Sequence, residues 1–318
     1  MIYTNDFKAL SDIVNYLNKA EHDRKYFVEK CDIMFSSLET IIGLYIDYSI
    51  KENKLSDFAR RQLESNRLSI NNKFSETVNA ILKYSEKNNL INSKAFKEII
   101  YYNPLIMSDA VLEHKRYNPY NISQELRESA SKTHKKLIDD YNSPRRKDEI
   151  IITSLCKLLY EVRSNIKHCG KTPHGPDLDK NNRDEEICKL IHPVLSEIIE
   201  TLLSNPNDKL LLYGTLRSGK SNATILDSYR NNSKNVSIWG FIEIENELPY
   251  YTFSISSSQN EIQAELICSK ELHNKFDKID EFEGSNYRRI KVPFKNGNEV
   301  EIGNVYEKNF KRLSGSPS

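Results

Sequence analysis

The apolar pattern of this sequence changes its period once, at residues 204–208. Before that point apolar residues recur at the three-and-four spacing of amphipathic helices, and glycine occurs only at Gly43, Gly170 and Gly175. After it, short runs of β-branched and aromatic residues alternate with turn residues. The change predicts a multidomain α + β chain, in which an all-α helical bundle precedes a small, mostly-β barrel.

The domain boundaries follow from the same change. We predict a helical domain over residues 1–205, a linker at 206–208, a barrel at 209–311 and a disordered tail at 312–318. The strand candidates are residues 210–213, 236–243, 250–255, 262–267, 289–294 and 300–306. Asn296-Gly297 is a strong hairpin turn between the last two.

Composition restricts the surroundings and partners of the chain. No apolar run approaches the roughly 18 residues of a membrane span, and the N-terminus lacks the apolar core of a signal peptide. The 5 cysteines are odd in number and scattered, which favours reduced thiols. We therefore expect a cytoplasmic protein with no membrane contact. Because 46 basic and 45 acidic residues nearly cancel, any nucleic-acid binding must come from local patches.

The clearest helix of the first domain begins near Asp148 and carries Arg163, Ser164 and His168 towards its end. Two residues five positions apart in a helix point about 140° away from each other. Arg163 and His168 can therefore converge on one ligand only where the helix ends, and Gly170 is a plausible stop. A histidine can take the proton of a ribose 2′-hydroxyl while an arginine holds the phosphate. The alternative is a basic pair at a helix C-terminus, which the helix dipole favours.

The sequence from Tyr160 to Gly170 resembles the HEPN ribonuclease superfamily. Arg163 and His168 match its two catalytic positions, and Ser164 matches the polar position, where asparagine is commonest. The resemblance implies a metal-independent endoribonuclease whose RNA site forms between two copies in a homodimer. A toxin or antiviral defence role, with an antitoxin or regulatory protein as partner, would follow from this class.

Two other site hypotheses stay open. Cys169, His174, Cys188 and His192 could be read as a zinc site, although the close paired spacings of zinc modules are absent. The segment from Gly214 to Ser221 satisfies the P-loop pattern. A P-loop NTPase needs a parallel sheet with crossover helices, however, and the strand-rich residues that remain are few. We expect neither a metal nor another cofactor in this protein.

A second resemblance fits the same loop better. Tyr213-Gly214-Thr215-Leu216-Arg217, then Gly219 and Asn222, precede Ile279-Asp280-Glu281-Phe282-Glu283-Gly284 and Tyr287-Arg288-Arg289. These motifs, in this order, resemble the gamma-glutamyl cyclotransferase-like family.

The resemblance implies a compact β-barrel that binds a γ-glutamyl small molecule. Its residues are the substrate-binding set Tyr213, Gly214, Thr215, Leu216, Arg217, Gly219, Asn222, Tyr287 and Arg289, with Glu283 as acid and base. One carboxylate with a raised pKa can serve both proton transfers that form 5-oxoproline. Ala223 and Ala264 depart from the family pattern, which leaves the substrate open.

Two functions from different classes are therefore expected. In the main one, the helical domain cleaves RNA and the barrel is catalytic or regulatory. In the alternative, the barrel releases 5-oxoproline from a γ-glutamyl amine or peptide, and the helices serve only for dimerisation or partner binding. The linker of about five residues also suggests that a ligand at Gly214 and Glu283 changes activity at Arg163 and His168.

Overall fold

A computed structural model provides the structure of this protein. It describes residues 7–51, 70–101, 124–168, 178–245, 248–254 and 260–309. These residues form two compact units, one of residues 19–202 and the other of residues 7–18 together with 203–309. The predicted tail at 312–318 lies outside the described residues. The fold class predicted from the sequence, a helical region followed by a barrel, is confirmed.

The described helices cover most of the first 202 residues. They are α1 (Phe7–His22), α2 (Phe27–Lys51), α3 (Ile70–Ile81), α4 (Tyr84–Asn92), α5 (Lys94–Tyr101), α6 (Gln124–Asn142), α7 (Asp148–His168) and α8 (Leu178–Leu202). The apolar stripe of α7 is buried as its spacing predicts, from Ile151 through Leu159 to Ile166. None of the helices in the described part of the chain is long and apolar enough to cross a membrane.

The beginning of α8 is not evident from the sequence. Segment 172–183 is polar and rich in proline, glycine and aspartate, which favours a surface loop, but α8 begins at Leu178, and residues 172–177 lie outside the described residues. This first turn of α8 has no apolar stripe and is rich in Asp and Asn, so it carries little helical signal. Pro193 lies inside α8.

The first helix divides between the units, because residues 7–18 group with the barrel. The side-chain amide of Asn18 pairs with the backbone of Lys291, donating to its carbonyl at 2.7 Å and accepting from its N–H at 2.8 Å. The ring of Phe7 lies 4.3 Å from that of Trp239. These contacts join residues that are far apart in sequence and attach residues 7–18 to the barrel unit.

The barrel contains the strands β1 (Lys209–Leu212), β2 (Lys234–Glu245), β3 (Leu248–Phe253), β4 (Asn260–Cys268), β5 (Tyr287–Asn296) and β6 (Glu299–Lys308). In hydrogen-bonding order β2, β4, β1, β6 and β5 form a ring, which closes where Ser237 and Ile238 pair with β5. The second half of β2 pairs with β3 instead. Neighbouring strands are antiparallel except β1 and β6, so this is not the parallel sheet of a P-loop NTPase.

Gly240 marks the point where β2 passes from the ring to its pairing with β3. Its φ is +153°, and a Cβ there would lie 2.3 Å from the carbonyl oxygen of Thr252. Only glycine fits so close a backbone approach. The first half of β2 can therefore pair within the ring while its second half pairs with β3.

Apolar side chains pack on both faces of the ring. The inner cluster is Leu211, Val236, Ile238, Tyr251, Ala264, Leu266, Ile290, Val292, Phe294 and Val305. The outer cluster joins β1, β4 and β6 to α9 (Phe276–Glu283) through Leu210, Leu212, Leu216, Leu226, Ile267, Leu272, Phe276, Ile279 and Tyr306. This outer packing fixes α9 beside the loop that leaves β1.

Candidate active site in the barrel unit

The loop that follows β1 folds back on itself in successive turns. The N–H of Arg217 donates to the carbonyl of Gly214 at 3.2 Å, and the N–H of Asn222 donates to the carbonyl of Thr215 at 3.2 Å. The Asn222 amide also donates to the Thr215 hydroxyl at 3.1 Å. Gly219, at φ +75°, takes a backbone conformation that favours glycine. Local hydrogen bonds thus give the loop a defined shape.

A buried carboxylate on β4 fixes the other side of this loop. Glu265 accepts hydrogen bonds from the N–H of Ser218 at 2.6 Å and from the Ser218 hydroxyl at 2.9 Å. It also pairs with Arg230 at 2.5 Å. Arg230 in turn donates to the carbonyls of Leu216 and Ala223, so one ion pair holds both ends of the loop.

The electrostatics agree with a charged Glu265. Burial opposes ionisation of its carboxyl, but hydrogen bonds from the Ser218 N–H and from Arg230 outweigh burial and lower the pKa. Its side chain is only 7% exposed, so this charge is stabilised by its partners and hardly by water. Glu265 is a structural carboxylate.

Glu283 is a carboxylate in the opposite situation. It is the last residue of α9, which ends at Gly284 with φ +72°. Glu283 is seven and four positions after the buried Phe276 and Ile279, so it lies on the same face of the helix as they do. Burial, and then the negative charge of Asp280, raises the pKa of Glu283 to about 7. A carboxyl group that titrates near neutrality can both take and give a proton at physiological pH.

Asp280 lies one helical turn before Glu283 and has partners on two strands. The Tyr306 hydroxyl donates to one of its oxygens, and Arg289 Nη2 donates to the other at 3.3 Å. Arg289 also lies over the Phe276 ring, 3.8 Å from its centroid. Arg289, predicted to bind substrate, therefore contacts α9.

Tyrosine side chains lie beside Glu283. Tyr287 stacks on Tyr250 at 4.9 Å between centroids, and its hydroxyl donates to the carbonyl of Pro249 at 3.0 Å. The hydroxyl of Tyr213 accepts a hydrogen bond from the N–H of Tyr251 at 3.2 Å. Burial raises the pKa of Tyr287 to about 12 and also raises that of Tyr213, so both remain neutral hydroxyls near neutrality.

These elements line an open cavity of about 210 Å³. Its lining includes most of the residues that the sequence predicted for this region, namely Tyr213, Gly214, Thr215, Leu216, Asn222, Glu283 and Tyr287. It also includes Leu211, Leu212, Leu248, Pro249, Phe282 and Tyr306, which were not predicted. Arg217, Gly219 and Arg289 are not among the residues that line it. Among the described residues, no lysine, arginine or histidine lines this cavity.

Comparison with known proteins finds a similarity for this part of the chain. Residues 210–316 match the family described as gamma-glutamyl cyclotransferase, AIG2-like. The predicted resemblance of the C-terminal region to cyclotransferases is thereby confirmed. The matched span begins at the second residue of β1 and includes the rest of the ring of strands, α9 and the loop after β1.

Among solved structures, YkqA from Bacillus subtilis is similar at 19% sequence identity and a TM-score of 0.26. The similarity covers 32% of this chain and 36% of YkqA, so the chain spans about a third of that protein. No curated protein matches the sequence.

The motif of the helical region has a different setting. Arg163 Nε donates to Glu39 on α2 at 2.6 Å, and Lys167 Nζ lies 3.3 Å from the other oxygen of Glu39. Ser164 is half-buried, and α7 runs through to His168, whose side chain lies outside the described residues. Arg163 is therefore part of an ion-paired group between two helices.

The zinc hypothesis gains no support from the described residues, in which no three histidine, cysteine or acidic side chains form a metal-binding group. Cys188 is buried, and its carbonyl accepts a hydrogen bond from the Cys31 thiol at 3.4 Å. Cys169 and His174 lie outside the described residues.

Proposed function

We propose that the barrel unit is a γ-glutamyl cyclotransferase that releases 5-oxoproline from a γ-glutamyl amine or peptide. The observation that carries this proposal is the convergence of the Tyr213–Leu216 loop and Glu283 on one cavity. The match of residues 210–316 to the cyclotransferase family supports the same activity. This is the alternative function expected from the sequence, and it replaces RNA cleavage as the main one.

The reaction needs two proton transfers and no redox step. The substrate's α-amine attacks its own γ-carbonyl carbon, forming a C–N bond, while Glu283 takes a proton from that amine. The bond to the original amide nitrogen then breaks, and Glu283 returns the proton to the departing amine. Because its pKa is raised to about 7, Glu283 can be the base in the first half and the acid in the second.

The loop after β1 provides the means to bind the substrate's charged end. Gly214 and Thr215 line the cavity, and backbone N–H groups of such a loop can hold a carboxylate. A Cβ at Gly214 would lie 3.3 Å from the Pro249 ring, so this position is tight. At about 210 Å³ the cavity is smaller than the roughly 300–1,000 Å³ of drug-sized sites, which suits a γ-glutamyl head group.

The proposal is tested with the purified full chain and a panel of γ-glutamyl amines, γ-glutamyl amino acids and γ-glutamyl peptides. We expect 5-oxoproline from at least one of them and a loss of about 10²–10⁴-fold in kcat for Glu283→Gln. Glu281→Gln removes the same charge from an exposed neighbour on α9 and should keep full activity. No product from any member of the panel, or equal rates for Glu283→Gln and wild type, would reject the proposal.

As a second function, we propose that the helical unit cleaves RNA at Arg163 and His168. The observation that favours it is the pair of cations, Arg163 and Lys167, that Glu39 gathers on one part of α7. Because α7 is helical through His168, positions 163 and 168 lie about 140° apart around it, so we assign the two roles to the two copies of a homodimer. Arg163 of one copy would hold the phosphate while His168 of the partner subunit takes the ribose 2′-proton. The 2′-oxygen bonds to phosphorus, and the 5′-oxygen leaves and takes a proton from water. A 2′,3′-cyclic phosphate results, with Ser164 beside the reacting groups.

This second function includes a cytoplasmic homodimer joined through the helical unit, and an antitoxin or other regulatory protein as partner. Expression of the wild type and of His168→Ala in growing cells tests it. We expect slower growth and fragmented RNA with the wild type alone. Equal growth with intact RNA in both strains would reject it.

A further inference from the structure

Asp280 makes contacts on both sides of the turn that carries Glu283. Its carbonyl accepts a hydrogen bond from the N–H of Gly284 at 3.0 Å, which closes the last turn of α9 around Glu283. Its carboxylate contacts β5 through Arg289 and β6 through Tyr306. One residue therefore ties the end of the helix to two neighbouring strands of the ring.

The two partners of Asp280 are themselves held in place. Tyr306 is only 4% exposed, and its ring belongs to the apolar cluster beneath α9. The guanidinium of Arg289 lies over the ring of Phe276, the first residue of α9. The Asp280 carboxylate thus has a fixed position one turn from Glu283.

We propose that Asp280 is a positioning residue for Glu283: bound by Tyr306 and Arg289, it fixes both the place and the protonation of the Glu283 carboxyl. The catalytic part of this inference rests on the cyclotransferase function proposed above. The electrostatic part, which is the effect of Asp280 on the protonation of Glu283, is a property of the folded protein and does not depend on that function. Asp280 therefore acts through Glu283 and does not itself touch the reacting atoms.

The charges around Glu283 indicate the direction of this effect. Burial raises its pKa most, and the negative charge of Asp280 raises it further. Arg289 lies against Asp280 and offsets part of that charge.

The groups that face Glu283 from the adjoining strands are Tyr213 after β1, Tyr287 on β5 and Tyr306 on β6. Their pKa values are all raised, first by burial, so they stay uncharged near neutrality. Glu307 acts on Tyr213 from β6. Asp280 and Arg289 therefore form a pair whose separate removal should move the titration of Glu283 in opposite directions.

The test is a pH titration of the full chain labelled with ¹³C at the glutamate side-chain carboxyls, followed by NMR. The resonance of Glu283 is the one that Glu283→Gln removes. We expect Asp280→Asn to move its midpoint down by about 1 pH unit, since a like charge nearby has gone. Arg289→Gln should move it up, because Asp280 is then less neutralised. Asp277→Asn makes the same chemical change at an exposed position of α9 and should leave the midpoint in place.

Tyr306→Phe provides a second variant if Asp280→Asn does not fold. It keeps the ring and removes only the hydroxyl that donates to Asp280, so the midpoint of Glu283 should rise. A midpoint that is the same in wild type, in Arg289→Gln and in whichever of Asp280→Asn and Tyr306→Phe folds would overturn the inference.

The pH profile of kcat separates this inference from the proposed function. With active protein, its acidic limb should move with the NMR midpoint in each variant. Absence of 5-oxoproline from the wild type, together with opposite NMR shifts, would reject the cyclotransferase function and retain the role of Asp280. Release of 5-oxoproline by the wild type, together with a Glu283 midpoint that no variant moves, would retain the cyclotransferase function and reject the role of Asp280.

Discussion

The two candidate sites of this protein differ in how their residues come together. In the barrel unit, Glu283 ends a helix, Tyr287 begins a strand, and the Tyr213–Leu216 loop follows another strand, yet all of them line one cavity. In the helical unit, Arg163 and Ser164 are neighbours on α7 and would be close in any fold. Convergence of residues from separate elements is a stronger indication of a site than a short contiguous motif.

The charges of the two sites show the same contrast. None of the described residues that line the cavity with Glu283 is cationic, and burial raises the pKa of Glu283 to about 7. Arg163 forms an ion pair with Glu39. Such ion pairs are also common on protein surfaces that take no part in catalysis or binding. A group whose ionisation the protein disfavours is a candidate for chemistry, whereas a paired charge is often a contact between elements.

The largest expected effect on stability is that of Glu265→Ala. It leaves Arg230, whose side chain is 13% exposed, with only the exposed Asp227 as a carboxylate partner, and it also removes the acceptor for Ser218. Removal of one partner from a buried ion pair costs about 3–5 kcal/mol. Urea unfolding of this variant measures the loss.

Glu261→Ala is the matched control for that experiment. It removes an exposed carboxylate of the same strand, whose ion pair with Lys295 is 3.8 Å long, and should cost less than about 1 kcal/mol. Equal losses for the two variants would show that Glu265 does not brace the loop.

A smaller effect is expected in the pH dependence of unfolding. Below pH 4.5, the ordinary pKa of the group, Glu283 is protonated in both the folded and the unfolded chain. As the pH rises to about 7, the unfolded chain gives up this proton while the folded chain keeps it, so folding stability falls.

Glu283→Gln lacks this titration. Relative to the variant, the wild type should lose about 1–2 kcal/mol across that window, less than full burial would give because Glu283 is partly exposed. Chemical unfolding of both proteins from pH 4 to pH 8 measures the difference. A constant difference would mean that Glu283 titrates normally in the folded protein.

The smallest effect is expected in the helical unit, for Glu39→Gln. The Glu39 side chain is 36% exposed, so its pairs with Arg163 and Lys167 should contribute less than about 1 kcal/mol. Thermal unfolding of the variant should therefore differ little from that of the wild type. A loss as large as that of Glu265→Ala would remove the contrast between the two ion pairs.

Local sequence patterns account for much of the fold and for part of the site. Alternation of apolar residues located all six strands, and the motif around Gly214 located the loop, because these signals involve residues that are adjacent in the chain. The contact of Asn18 with Lys291 has no such signal, since it joins a polar helix residue to a strand backbone 273 positions away.

The supporting residues of the site were missed for the same reason. The members of each pair lie on different elements: Glu265 pairs with Arg230, and Asp280 pairs with Tyr306. These residue types are common in strands and helices, so none of them stands out in the sequence. Their importance comes from burial and pairing in the folded chain. Asp280 alone had a sequence signal, because it lies in the same motif as Glu283.

The central claim is that the barrel carries a cyclotransferase activity that depends on Glu283. The most direct measurement is 5-oxoproline release by the full chain, by Glu283→Gln and by His168→Ala, with RNA cleavage followed in the same samples. The account predicts that His168→Ala releases 5-oxoproline at the wild-type rate, while Glu283→Gln loses about 10²–10⁴-fold. Release that survives in Glu283→Gln, or that disappears in a folded His168→Ala, would contradict it.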